Sequence, residues 1–179
     1  MGLTITEGLA EIKTIGKRLA SKRAFVSTYL GRQEGLKDPL ANEGGSREAI
    51  ARERQSILDL EERIVGIRRA IQAANVSNTI TVEGVTRTIA DWLVWRREVA
   101  AGQQAFLAVI RRDIANARRE AQQKGYAIVP STESAREITD IIVNVDEREV
   151  SKESETMEAI LGALDGQLSL KNATVLIEI

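Results

Sequence analysis

The sequence of 179 residues contains no cysteine and no histidine. Without cysteine the chain has neither a disulfide framework nor a thiol nucleophile. Without histidine it lacks Ser-His-Asp triads and imidazole acid–base catalysis, and the two absences together exclude Cys/His zinc sites. Paired carboxylates could still build a metal site or a glycosidase, but no such arrangement is evident. We therefore expect no catalytic residue, no cofactor and no metal ligand.

Aromatic residues and proline are also scarce. The chain has two each of Phe, Trp and Tyr, while 43% of its residues are hydrophobic, so an aliphatic core typical of long helices is indicated. No apolar run approaches the roughly 20 residues that a membrane-spanning helix needs. Charges within the first dozen residues argue against a signal peptide. We expect a soluble chain without a membrane partner.

Charge is distributed unevenly along the chain. The net charge is −1, but residues 1–124 carry 21 Lys/Arg and 15 Asp/Glu, whereas residues 125–179 carry 4 and 11. A basic segment is compatible with nucleic-acid binding, and segments of opposite sign are equally compatible with attraction between neighbouring copies. Both interpretations stay open at this point.

The first half of the chain predicts an antiparallel pair of helices. Thr4 and Glu7 have capping-box spacing and start a helix predicted over residues 5–34. After a loop with Pro39, Ser46 is the predicted cap of a second helix over residues 47–75. The heptad seam of that helix comprises Ile50, Ile57, Ile64 and Ile71 at one position and Leu60, Ile67 and Ala74 at the other, with Glu53 as the exception.

A β-hairpin and a third helix follow. Residues 79–87 alternate around a Glu-Gly turn, which predicts a tight hairpin. Thr88 with Asp91 then begins a helix predicted over residues 88–124. Its inward side is predicted to comprise Ile89, Leu93, Arg96, Ala100, Gln103, Leu107, Ile110, Ile114, Ala117 and Ala121. At about 1.5 Å per residue this helix would exceed 50 Å, which favours an extended coiled-coil arm.

The two tryptophans and the arginine doublets are the candidate binding residues of this region. Trp92 and Trp95 lie three residues apart, on adjacent turns of one helix side. They are interpreted as fastening the hairpin to the third helix, with a partner-anchoring platform as the alternative. The candidate phosphate contacts are Arg111, Arg112, Arg118 and Arg119. Solvated helix faces with interspersed acids are the favoured interpretation of these doublets, because no nucleic-acid-binding motif is present.

The last third predicts a small β-α-β module. Residues 125–137 look like a linker around Pro130, and a strand with Ile141, Val143 and Val145 on one face follows. Next comes an amphipathic helix ended by Gly166. The final residues, 169–179, predict a strand, in which Val175, Ile177 and Ile179 share one face and Leu176 lies on the other. These four residues are the predicted assembly contacts, in a strand that pairs with another copy or with the 79–87 hairpin and so mediates oligomerisation. Removal of residues 172–179 is expected to abolish assembly but leave the helices folded.

The predicted fold is therefore mainly α with small β. It comprises an elongated antiparallel helical hairpin, a long third helix, the 79–87 hairpin and the C-terminal β-α-β module. The predicted domains are a helical bundle or coiled-coil domain over residues 1–124 and a small αβ assembly module over residues 125–179.

One family resemblance is carried by the segments "IKTIGKRLASKRAF", "IRRAIQAAN" and "TIADWLVWRREV". With the intervening turn, residues 5–107 resemble the septicolysin-like family of helical proteins. The matching residues are Ile71, Asn75, Gly84, Thr88, Ala90, Arg96 and Arg97. The resemblance implies a helical bundle that oligomerises, and it brings no catalytic residues. The organisation is also similar to that of tailed-phage virion proteins.

We therefore expect a non-enzymatic structural or assembly protein. The favoured role is a multi-copy component of a tailed-phage virion, present in the virion or in the host cytoplasm during assembly. The expected partners are further copies and other structural proteins. A nucleic-acid-binding or packaging-associated protein and a cellular coiled-coil adaptor are the alternatives.

Overall fold

The computed structural model describes residues 2–130 and 141–179. In this part of the chain the fold is mainly α with small β, which confirms the predicted class. The helices are α1 (Ile5–Tyr29), α2 (Ser46–Ser77), α3 (Ile89–Val94), α4 (Ala101–Lys124) and α5 (Glu147–Thr174), with a 3₁₀ turn at Ala41–Glu43 and a π-helical segment at Trp95–Ala100. The strands are β1 (Leu3–Thr4), β2 (Thr79–Val82), β3 (Val85–Thr88), β4 (Ile128–Pro130), β5 (Ile141–Val143) and β6 (Leu176–Ile177).

The chain divides into two compact units. The first comprises Met1–Asn78 with Ser169–Ile179, and the second comprises Thr79–Leu168. The unit boundaries follow Asn78 and Leu168, and neither coincides with the predicted domain boundary between residues 124 and 125. The end of the chain belongs with its beginning because β6 pairs antiparallel with β1, placing Leu3 opposite Ile177.

In the first unit, α1 begins with the predicted capping box. The Thr4 hydroxyl accepts a hydrogen bond from the backbone N–H of Glu7 at 3.2 Å, and the Thr4 backbone N–H donates to the Glu7 carboxylate at 2.7 Å. The helix ends at Tyr29, short of the predicted residue 34. Leu30 is exposed beyond it, so no apolar packing supports a longer helix.

The residue predicted to cap α2, Ser46, is not the one that caps it. Ser46 is the first residue of the helix, and its side chain does not cap it. Instead, the Asp38 carboxylate accepts hydrogen bonds from the Ser46 backbone N–H at 2.9 Å and from the Ser46 hydroxyl at 2.5 Å. A carboxylate is the stronger acceptor at a helix N-terminus because it also interacts with the positive end of the helix dipole.

α1 and α2 pack antiparallel, as predicted. The order of two ion pairs shows the direction, since Glu11 pairs with Arg63 and the later Lys22 pairs with the earlier Glu53. The core between the helices comprises Ile5, Ile15, Leu19, Ile67, Ile71, Ala74 and Ile177. Ile67 is fully buried, whereas Ile64 is only partly buried at the edge of this core.

The predicted third helix is interrupted by the π-helical segment at Trp95–Ala100, which shifts the register of its side chains. Its start and end are confirmed, because the Thr88 hydroxyl accepts from the Asp91 backbone N–H at 3.0 Å and Gly125 ends α4 with φ 70°. The π-helical segment has a wider turn than the α-helix, which rotates the residues on either side of it. Trp92 is therefore buried in place of the predicted Leu93, while Ala100, Leu107, Ile114 and Ala121 are buried as expected.

The predicted order strand, helix, strand is present as β5, α5 and β6, but the two strands lie in different sheets. β4 pairs in parallel with β5, so a strand lies where a linker was expected, and residues 131–140 of that passage lie outside the described residues. α5 continues through Gly166 to Thr174. A glycine costs a helix only about 1 kcal/mol, and Leu164 and Leu168, buried on either side of it, outweigh that cost. Only two residues of the predicted final strand remain as β6.

Candidate assembly surfaces

The β2–β3 hairpin has the geometry that its sequence predicts. Glu83 and Gly84 form the turn with φ values of 48° and 78°, the two positive angles of a type I′ turn. Ile80 and Val82 are buried, while Thr81 faces outward and its hydroxyl lies 2.7 Å from that of Thr86. The alternation gives the hairpin one apolar face.

Trp92 lies against that apolar face. Its indole Nε1 donates a hydrogen bond to the carbonyl oxygen of Ile80 at 3.0 Å, and the ring is buried. The Arg87 guanidinium lies 5.0 Å from the ring centroid, and Trp95 meets the ring edge-on at 5.3 Å. The predicted fastening role is confirmed. Trp92 is too deeply buried to contact a partner, whereas Trp95 is partly exposed.

Leu164 and Leu168 of α5 complete this core. They are buried together with Ile80, Val82 and Trp92, and Ile160 packs against the cluster. Near this point Arg96 forms an exposed ion pair with Asp165 at 2.9 Å, so this arginine is not an inward residue of the third helix. The hairpin, α3 and residues 160–168 of α5 therefore form one packed body within the second unit.

The four predicted C-terminal contact residues have different environments. Ile177 is 2% exposed in the core between α1 and α2, and Val175 packs against that core. Leu176 is 64% exposed and Ile179 is also exposed. Ile177 therefore belongs to the core of the first unit, and we now expect removal of residues 172–179 to destabilise α1 and α2 as well. Leu176 and Ile179 remain available as surface contacts.

The arginine doublets of α4 are largely engaged by neighbouring groups. Arg112 pairs with Asp113 at 3.1 Å, and Arg118 forms an ion pair with Glu147 of α5. Arg119 donates to the side-chain oxygen of Asn116. Arg111 is exposed, and among the described residues it has no ion pair. These contacts reduce the positive potential that a phosphate stripe requires.

A groove of about 470 Å³ lies between α4 and α5. Its apolar side chains are Phe106, Leu107, Met157 and Ile160, and Gln103, Lys152, Glu153 and Thr156 complete its lining. Phe106 is 64% exposed. The sequence prediction missed Phe106, although an aromatic residue outside the inward side of a helix is itself a signal of a surface contact in a chain with so few aromatics.

The shifted pKa values belong to helix ends and not to a reactive site. Hydrogen bonds from Ser46 and Leu40 lower the pKa of Asp38 to about 2, and hydrogen bonds from Thr4 lower the pKa of Glu7. A hydrogen bond with Lys124 lowers the pKa of Glu120 one turn away. Within residues 2–130 and 141–179, no cluster of acidic side chains could hold a metal ion.

Comparisons with known proteins bear on the fold alone. No protein-family model matches the chain, and no curated protein matches it. The fold is similar to the crystal structure of a functionally unknown conserved protein from Corynebacterium diphtheriae, with a TM-score of 0.57 and 18% sequence identity over 99% of this chain and 100% of that one. Across the described residues, no helix is both long and apolar enough to cross a membrane.

Proposed function

We propose that this chain is a non-enzymatic structural protein that assembles in many copies, as a component of a tailed-phage virion. It acts through helix packing with further copies and with other structural proteins, in the host cytoplasm during assembly and then in the virion. The observation that carries this proposal is the groove between α4 and α5 with Phe106 exposed on it.

The groove favours an apolar protein surface as its partner. Covering a side chain of this kind is worth about 1.5–3 kcal/mol, which gives Phe106 the character of an interface anchor. Lys152 and Glu153 have opposite charges, so the lining has no net charge that would select an anion. The apolar face of an amphipathic helix fits these features.

Two features support a structural role over catalysis. The chain lacks cysteine and histidine, and so it has neither a thiolate nucleophile nor an imidazole that could shuttle protons at neutral pH. The described carboxylates with lowered pKa are held by local partners at helix termini. The resemblance to septicolysin-like helical proteins is a further argument for oligomerisation, and a cellular coiled-coil adaptor remains the alternative with the same surface chemistry.

Nucleic-acid binding through α4 is the rival function. Charge reversal of Arg111 and Arg112 together tests it, because Arg111 is exposed and Arg112 has only an adjacent acidic partner. We expect no change in DNA affinity, since wild-type binding should already be negligible. Salt-sensitive binding of wild-type protein that this double change abolishes would instead establish the rival.

A substitution at the groove tests the proposal. Phe106→Ser should lower the mass of the assembly, and it should leave the melting temperature nearly unchanged because the side chain is exposed in the single chain. Val109→Ser on the same helix is the matched control, since Val109 is exposed but does not line the groove. Equal assembly masses of the two variants and wild type would refute a role for the groove.

A further inference from the structure

The side of α2 that faces away from α1 carries an apolar stripe. We call it the outer stripe, and it consists of Ala51, Leu58, Val65 and Val76, with Arg54 and Gln72 between them on the same line of the helix. Leu58 and Val65 are one heptad apart and are 59% and 55% exposed. At 3.6 residues per turn Val65 lies about 160° around the helix from the buried Ile67, and Val76 lies within about 20° of the Val65 line.

A surface helix usually has one apolar side, which faces its core. α2 already buries Ile67, Ile71 and Ala74 in the core of the first unit. Ala51, Leu58 and Val65 repeat at a heptad spacing opposite that core, which is the pattern of a helix with two helical neighbours. α1 is one neighbour, and the outer stripe has no cover within the described part of the chain.

The charges beside the outer stripe are arranged symmetrically about Val65. Glu61 and Glu62 precede Val65 by four and three residues, and Arg68 and Arg69 follow it by three and four. Glu62 and Arg69 lie on one flank of the stripe, and Glu61 and Arg68 lie on the other. Glu61 already accepts an exposed hydrogen bond from Arg23, whereas the other three have no ion pair among the described residues.

This symmetry selects one orientation of a second copy. A twofold axis at Val65 brings two α2 helices together antiparallel and keeps each flank beside the same flank of its mate. The glutamates of one copy then meet the arginines of the other on both flanks. A parallel arrangement would place glutamate beside glutamate, which is repulsive.

We propose that the outer stripe binds the same face of α2 in a second copy of this chain, antiparallel, about a twofold axis at Val65. Val65 then faces Val65, and Leu58 and Val76 face the aliphatic parts of Gln72 and Arg54. This inference rests on the proposed function only in that copies of the chain associate. A seam made by one helix from each copy belongs to the small class of interfaces, so the contact is weak and depends on concentration. The contact contributes most within an assembly, because neighbouring copies that are already held together have a high effective concentration.

Single cysteines test the geometry, because the chain has none of its own. Val65→Cys should form a disulfide-linked dimer under mild oxidation, since the axis brings the two thiols together. Leu58→Cys is the matched control on the same stripe. Its thiol would lie 14 residues, about 21 Å, along the helix from its own mate and should not cross-link. Mixing Leu58→Cys with Gln72→Cys should give the mixed dimer, because these positions lie opposite each other.

Charge exchange tests the recognition. Glu62→Arg and Arg69→Glu should each weaken dimerisation about tenfold or more in sedimentation equilibrium, and the double variant should recover it because opposite charges face each other again. A double variant as weak as the single variants, or equal cross-linking of Val65→Cys and Leu58→Cys, would overturn the inference. Assembly of wild type without cross-linking at Val65→Cys overturns it and leaves the proposed function standing. A chain that is monomeric at every concentration overturns both.

Discussion

The ammonium group of Lys22 lies 2.7 Å from the carboxylate of Glu53, across the two helices of the first unit. Glu53 occupies the one heptad position of α2 that lacks an aliphatic residue, and both side chains are less than one-third exposed. The polar exception in the seam is therefore matched by a polar residue of α1. This pair fixes the register of the two helices at a position where an aliphatic contact would otherwise lie.

Replacing this pair with apolar residues is our first prediction. The double variant Lys22→Met with Glu53→Leu should raise the free energy of unfolding by about 1 kcal/mol, because partly buried ion pairs recover little of their desolvation cost. Urea denaturation measures the change.

The matched control is Glu11→Leu with Arg63→Met, which removes the more exposed ion pair of the same two helices. It should bring no gain, since the new apolar atoms stay in contact with water. A loss of more than about 1 kcal/mol at the Lys22–Glu53 position would show that the ion pair is stabilising in its own right.

Features with local signals could be predicted from the sequence. The capping box at Thr4, the Thr88 cap, the Glu83-Gly84 turn and the heptads of α2 each depend on residues close together in the chain. The packing of Trp92 on the hairpin could be predicted for the same reason, because Ile80 is only twelve residues away in the sequence.

Features that depend on distant contacts could not be predicted. The pairing of β6 with β1 joins the two ends of the chain, and no local pattern records it. α5 passes Gly166 because its own Leu164 and Leu168 are buried against the hairpin and α3, which are distant in the sequence. The groove beside Phe106 needed the relative position of α4 and α5, which their own periodicity does not give.

Two glycines within helices predict opposite effects of the same substitution. A Cβ at Gly166 would meet no atom within 4 Å, so Gly166→Ala should raise the free energy of unfolding by about 0.5–1 kcal/mol through helix propensity. A Cβ at Gly8 would lie 2.8 Å from the Ile177 side chain and 3.2 Å from that of Ile67. Gly8→Ala should therefore lower stability, by about 1 kcal/mol or more. Thermal denaturation with the same sign for both variants would contradict this packing.

The tryptophan environment gives a spectroscopic prediction. The chain has two tryptophans, and Trp92 is buried while Trp95 is partly exposed. Trp92→Phe should remove a blue-shifted emission component that resists quenching by iodide, whereas Trp95→Phe should retain it. If the emission of Trp95→Phe is red-shifted and freely quenched in the folded protein, Trp92 is not enclosed.

The Asp38 cap gives a pH prediction. Its pKa is lowered from 3.8 to about 2 in the folded chain by hydrogen bonds from Ser46 and Leu40. Its stabilising contribution is therefore complete above about pH 4 and is lost as the pH falls towards 2. The stability difference between wild type and Asp38→Asn should shrink over this interval. A difference that is constant from pH 5 to about pH 2 would show that the carboxylate is not the cap.

Assembly of the unmodified chain is the most direct test of the account. Sedimentation velocity of the purified wild-type protein at increasing concentration measures it, with negative-stain imaging of the heaviest species. We predict growth from small oligomers, starting with a dimer, to a defined particle whose mass is an integer multiple of the chain mass. A single species with the mass of one chain at every concentration would contradict the account.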